Sequence, residues 1–191
     1  MSSDKIIELK AGGVMPSASA HATIKVWDLF VRVFHWSLVA AFVVAFLSGE
    51  GNDTVHQTSG YVIAGLVMTR IVWGLIGSKY ARFSNFVVGP RKVSAFAMQS
   101  MRLKAPRHIG HNPAGAVMII ALLATLLGLA ITGHLMTTNA YWGSKAMEEV
   151  HEGLAYFALG LVLLHVLGVI FTSIEHGENL VKAMITGRKR V

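Results

Sequence analysis

The sequence predicts an all-α membrane protein, a four-helix transmembrane bundle with both termini cytoplasmic. Three observations lead there. Of 191 residues, 53% are hydrophobic and only 14% charged, whereas a soluble domain carries about a quarter charged residues. Four segments reach the roughly 20 predominantly apolar residues that a helix needs to cross a bilayer. The basic residues, finally, collect at alternate ends of those segments, which gives the spans a direction.

Residues 1–24 come first and include "ELKAGGVMPSASAHAT". They are polar, small and broken by Gly and Pro. They lack the continuous apolar stretch of a signal peptide, so they are expected to persist as a flexible tail. A single membrane domain then occupies 25–191. Its first span, "LFVRVFHWSLVAAFVVAFLSG", covers about 29–49, and the second, "TVHQTSGYVIAGLVMTRIVWGLIG", about 54–77. The third, "NPAGAVMIIALLATLLGLAITG", covers about 112–133, with Pro113 suited to its first turn. The fourth covers about 148–174.

Two connecting segments are expected at the interface. In 78–110, "FSNFVVGPRKVSAFAMQSMRLKAPRH" interleaves Phe83, Phe86, Phe96, Met98 and Met101 with cations. An amphipathic helix lying on anionic headgroups, or a solvated basic loop, fits that pattern. After the fourth span, "EHGENLVKAMITGRKR" reads as a short interfacial helix.

Charge sets the direction. Lys5, Lys10, Lys25 and Arg32 flank the first span; Lys79, Arg82, Arg91, Lys92, Arg102, Lys104 and Arg107 lie between spans two and three. Lys182, Arg188, Lys189 and Arg190 follow the fourth span. The short loops after spans one and three hold only Lys145 beside Glu50, Asp53, Glu148 and Glu149. All three basic regions are therefore expected on the cytoplasmic side of a bacterial inner membrane. The net charge of +7 alone suggests nucleic acid or an anionic membrane surface. The hydropathy assigns it to the membrane, with no nucleic acid as partner. Without cysteine, the chain holds no disulfide, thiolate-bound zinc or iron–sulfur cluster.

Nine histidines are unusual in so apolar a chain. Ionisable residues within a bilayer are costly and usually face the bundle interior. His56 opens span two and His151 opens span four, both on the outer side. His35 in span one and His165 in span four lie in the cytoplasmic half. His151 and His165 are fourteen residues apart, close to four helical turns, so they share a face about 21 Å apart along the axis. They cannot bind one ion. They can serve two cofactors at two depths, His56 with His151 and His35 with His165. Bis-histidine haem is the simplest such cofactor; zinc would need a tighter cluster of four ligands. A lone helical histidine is more often a hydrogen-bonded core residue than a ligand. Four at two matched depths favour ligation.

Arg70 lies fourteen residues after His56, at the depth of the inner pair. It is expected either to meet a haem propionate or to snorkel to the interface. Gly49, Gly60 and Gly153 offer places where a porphyrin could approach the backbone. His108 and His111, in "HIGHNP", read as interfacial or propionate contacts; His134 and His176 read as non-ligating, and His21 lies in the tail.

Four stretches now carry a resemblance: "VWDLFVRVFHW" (26–36), "HQTSGYVIAGLVMTRIVWGLIGSKYARFSNF" (56–86), "GHNPAGAVM" (110–118) and "HEGLAYFALGLVLLHVLGVIFTSIEHGENLVKAMITGRKR" (151–190). Together they resemble the bacterial cytochrome b561 family, which overlaps the b-type cytochrome subunits of nickel hydrogenases. The resemblance implies a four-helix bundle with two haems b, ligated by His35, His56, His151 and His165. It also implies electron exchange across the membrane between quinone or quinol and a redox partner protein, either a cytochrome c or an oxidoreductase subunit. A haem-containing anchor subunit of a hydrogenase or formate dehydrogenase is the alternative. A haem-free transporter relaying protons through histidines is a third reading. A homo-oligomer is left open, and no residue is assigned a catalytic role beyond electron transfer.

Overall fold

The computed structural model describes residues 22–190. Most of the expected tail, with His21, Lys5 and Lys10, and the terminal Val191 lie outside those residues. Four long apolar helices dominate: α1 (Leu29–Ser48), α2 (Asp53–Ile76), α4 (Pro113–Met136) and α5 (Lys145–His176). Two shorter ones are α3 (Pro90–Met101) and α6 (Leu180–Thr186). In lipid no water satisfies the backbone, so a spanning segment must bond within itself. That leaves each helix end as the place where side chains matter.

The ends are capped accordingly. Asp28 Oδ1 accepts the Val31 N–H at 2.8 Å, Asn52 that of Val55 at 3.1 Å, and Asn112 that of Gly115 at 2.7 Å. Ser144 starts α5 by accepting from Met147 at 3.4 Å, and Gly177, left-handed at φ 58°, ends it. These caps explain why α5 exceeds the apolar run of 148–174 at both ends. A side-chain acceptor and a left-handed glycine set a helix's length, whereas hydropathy marks only the part in lipid.

The packing is uneven. α1 and α2 pack closely together, α2 also packs on α4, and α4 packs on α5. Among the described residues α5 makes no comparable packing against α1 or α2. Phe34, Ala45, Ile63, Val67, Leu123 and Leu126 form the buried core of the α1–α2–α4 side. On α5 only Ala158 is buried, and Leu163, Leu164, Leu167, Ile170 and Phe171 are exposed, as suits a helix bathed in lipid.

The connection between α2 and α4, expected to hold an amphipathic helix or to be a basic loop, combines helix and loop. Only Pro90–Met101 is helical; Phe83 sits in a separate 3₁₀ turn, Phe83–Asn85. The Phe83 ring fills a notch at Gly74 of α2, where an added Cβ would stand 2.1 Å from it. Phe96 is buried, while Met98 and Met101 stay exposed. The sequence pattern grouped these aromatics by polarity, but the glycine notch draws one of them back onto the bundle.

The first and last described segments meet at one end of the bundle. Thr23–Lys25 (β1) pairs antiparallel with Arg188–Arg190 (β2), so Thr23 and Ile24 belong to a strand and not to the expected tail. Backbone pairing between segments 165 residues apart leaves no local signature. Gly187 makes the join: its φ is 78°, its carbonyl accepts from Val26 and Trp27 N–H at 2.8 and 3.1 Å, and a Cβ there would lie 2.6 Å from the Trp27 carbonyl oxygen. Glu178 clamps the same region. It accepts from Arg107 and, at 3.1 Å, from the buried Lys189 Nζ, which also donates to the His108 carbonyl at 2.9 Å.

Burial acts to raise the Glu178 pKa, but the bonds from Arg107 and Lys189 outweigh it and hold the carboxyl below its ordinary 4.5. A depressed carboxylate contributes stability that is fully present above the unfolded value and lost as pH falls through the folded one. Glu178→Gln should therefore speed amide exchange across Thr23–Lys25 and Arg188–Arg190 about tenfold at pH 7, the scale of losing charge-assisted bonds. Far enough below pH 4.5 to protonate the folded carboxyl, the variant and the parent should converge. Equal exchange at both pH values would remove Glu178 from the clasp.

Candidate functional site

α5 carries two imidazoles on one side, and each faces an imidazole from another helix. His151 meets His56 of α2, with ring centroids 6.0 Å apart and planes inclined 77°. His165 meets His35 of α1 at 6.4 Å and 52°. All four rings are half-buried. The weak packing of α5 against α1 and α2 is what leaves these gaps open.

The pair nearer the α1–α2 and α4–α5 loops opens into a cavity of about 990 Å³. Tyr61, His134, Trp142 and the acidic Glu50, Asp53 and Glu152 line it beside both imidazoles. A space of that size suits a large planar ligand. Gly49 and Gly60 line it too, and a Cβ at Gly60 would meet nothing within 4 Å. Gly153 also faces open space but does not line the cavity. The tight glycine is instead Gly133, where a Cβ would stand 3.2 Å from His151 Cε1. Its signal in the sequence is only a helical glycine, indistinguishable from many others.

The two rings beside the cavity have fixed second nitrogens. His56 Nδ1 lies 2.8 Å from the Ala45 carbonyl oxygen, and a carbonyl can only accept. Nδ1 therefore carries the proton and the Nε2 lone pair is free. His151 Nδ1 lies 2.8 Å from Thr132 Oγ1. The His35–His165 pair differs, since His35 Nδ1 is buried with no partner among the described residues. No group of three or more His, Cys, Asp or Glu side chains there could hold a bare metal ion.

Arg70 is 3% exposed, so its guanidinium is shielded from solvent. It lies 5.1 Å over the Phe83 ring and donates from Nη2 to the Ala81 carbonyl at 3.1 Å, while Nη1 has no partner among the described residues. Asp28 organises the surroundings. It caps α1 and accepts from Trp73 Nε1 at 3.1 Å and from Ser78 Oγ at 2.5 Å, tying α1 to α2. Burial tends to raise its pKa, but these bonds and the nearby Arg70 hold it below the ordinary 3.8.

The remaining histidines divide. His111 is not at the surface. Its ring lies between Trp27 (4.5 Å) and Phe86 (4.6 Å), with Nδ1 buried and without a partner among the described residues. His108 stands edge-on to Phe96, and His176 lies 3.8 Å from Glu175. His134 bonds through Nδ1 to Tyr61 Oη at 3.1 Å.

Comparison with known proteins follows the same outline. The family model described as prokaryotic cytochrome b561 matches residues 26–187. A "Probable Ni/Fe-hydrogenase B-type cytochrome subunit" of Bradyrhizobium diazoefficiens is 22% identical, over 91% of this chain and 88% of that protein. A protein of the same name from Rhodobacter capsulatus is 20% identical, over 92% and 84%. No solved structure matches the chain.

Burial, then the charges of Arg70, Lys189 and His165, push the His111 pKa from 6.5 down to about 3. The unfolded chain therefore takes up a proton at this residue before the folded one does, and stability falls as pH drops from 6.5 toward 3. His111→Phe, which keeps a ring between Trp27 and Phe86, should flatten that part of the thermal-stability profile in detergent. An unchanged slope would show that His111 titrates normally.

Proposed function

Because the chain belongs to the prokaryotic cytochrome b561 family, a group of membrane-embedded b-type haem proteins, we propose that it holds two haems b and conducts electrons across the membrane. One haem lies between His56 and His151, the other between His35 and His165. The separation of the rings carries this reading. A metal–imidazole bond is about 2 Å, so two imidazoles on opposite sides of one metal ion have centroids roughly 6 Å apart. The observed 6.0 and 6.4 Å match that spacing. The Nδ1 bonds of His56 and His151 support it as well, because a ligating imidazole donates its other N–H to a fixed acceptor.

Bound in this way, haem supplies a one-electron iron couple. The protein does the rest. Held by two histidines each, the haems would favour electron transfer over oxygen chemistry. Arg70 Nη1 offers a buried donor to a haem propionate. Quinone or quinol is the membrane-side exchange partner, and a redox protein is the other. The relatives' names, as hydrogenase cytochrome subunits, favour an oxidoreductase as that protein. They equally support the second reading, an anchor subunit with no turnover of its own.

We place both termini in the cytoplasm of the bacterium, in a protein of its inner membrane. The clasped chain ends share their side with the basic connection containing Arg91, Lys92, Arg102, Lys104 and Arg107. The acid-rimmed cavity then faces outward.

Haem content tests the assignment. Purified protein should yield two haems b per chain by pyridine extraction. His56→Ala and His151→Ala should each halve that and delete the same low-spin ferric resonance; His35→Ala and His165→Ala should delete the other. Loss of one resonance by both His35→Ala and His151→Ala would overturn the pairing. Haem reduction by quinol without any partner protein would separate the conduit from the anchor.

A further inference from the structure

Thr132 sits in the last third of α4, on the side facing α5, and is buried although polar. Its hydroxyl has one proton. That proton points to the carbonyl of Gly128 at 2.9 Å, shared with Leu129 at 3.2 Å, the usual back-bonding of a helical threonine. With its proton committed, Oγ1 can only accept from the atom 2.8 Å away, His151 Nδ1. The reverse arrangement, with Thr132 donating to a bare Nδ1, would protonate Nε2 and leave no lone pair facing the gap. Only the first arrangement leaves Nε2 free to ligate.

The neighbouring residue points the same way. At Gly133 a Cβ would press to 3.2 Å of His151 Cε1. The dipeptide thus both bonds the ring and clears its edge. Of the four paired histidines, His151 alone has its second nitrogen held by a side chain among the described residues. His56 uses the backbone carbonyl of Ala45, and His35 Nδ1 has no partner.

We propose that Thr132 is a positioning residue for the outer haem. It holds His151 in the Nδ1–H tautomer, aims Nε2 into the gap, and strengthens the imidazole as a donor. An N–H given to an acceptor raises ligand basicity, which favours ferric over ferrous iron and lowers the midpoint potential of that haem. The inner haem lies beyond its reach. This rests on the ligation proposed above for His151, so the test separates the two.

The variants are Thr132→Val, which keeps the shape and removes the hydroxyl, and Thr132→Ser, which restores it. In haem-loaded protein, Val should raise the midpoint of one haem only and shift only the resonance that His151→Ala deletes. Haem affinity at that site should fall about 10–100-fold. Ser should restore all three. Unchanged midpoints and resonances in Thr132→Val would overturn the proposal. A second measurement needs no haem: in ¹⁵N-histidine-labelled apo protein, the His151 Nδ1–H signal should be present in the parent and in Ser, and lost in Val. Its persistence in Val would also overturn the proposal. Absence of haem from the parent would defeat the ligation reading while leaving the tautomer result to stand.

Discussion

Everything at the candidate site depends on the rigidity of one helix in lipid. α5 must satisfy its own backbone over its whole apolar length, so the rise of each residue is fixed and the fourteen-residue step from His151 to His165 becomes a fixed distance. The other helices have only to bring one imidazole each to the two levels. α2 supplies His56 near its start, and α1 supplies His35 near its own. Because α5 leans on α4 and stands away from α1 and α2, both pairs have a gap between their rings, as a ligand requires and a packed core does not.

A gap inside a bundle costs packing, and the structure offsets it at the end where Thr23–Lys25 meets Arg188–Arg190. Asp28, Trp73 and Ser78 lock α1 to α2. Glu178, Arg107 and Lys189 lock the segment after α5 to the α3–α4 region. These are charge-assisted bonds in partly buried positions, where they are stronger than on an open surface. Arg70 and His111 lie in the same region, each with a buried nitrogen that no described residue satisfies. Native proteins leave few such atoms unpaired, and a bound carboxylate would account for Arg70.

Much of this was legible in the sequence. Span number and extent follow from hydropathy, and the matched depths of His35 with His165 and His56 with His151 follow from counting turns. What was not legible is instructive. Thr132 and Gly133 look like any helical residues, since their importance lies in a contact with His151 made across a helix interface. The strand pair of Thr23–Lys25 with Arg188–Arg190 and the burial of His111 between Trp27 and Phe86 were equally hidden.

The sequence by itself determined a four-span helical membrane chain with two levels of imidazole, because lipid forces helices and helices convert spacing into depth. Only the tertiary structure decided how far apart the facing rings stand, which ring nitrogens are held, and that Arg70 is buried against Phe83 and Ala81. Those depend on lateral contacts between α1, α2, α4 and α5. Such contacts are set by side-chain packing and hydrogen bonds between residues far apart in sequence, and no local pattern encodes them.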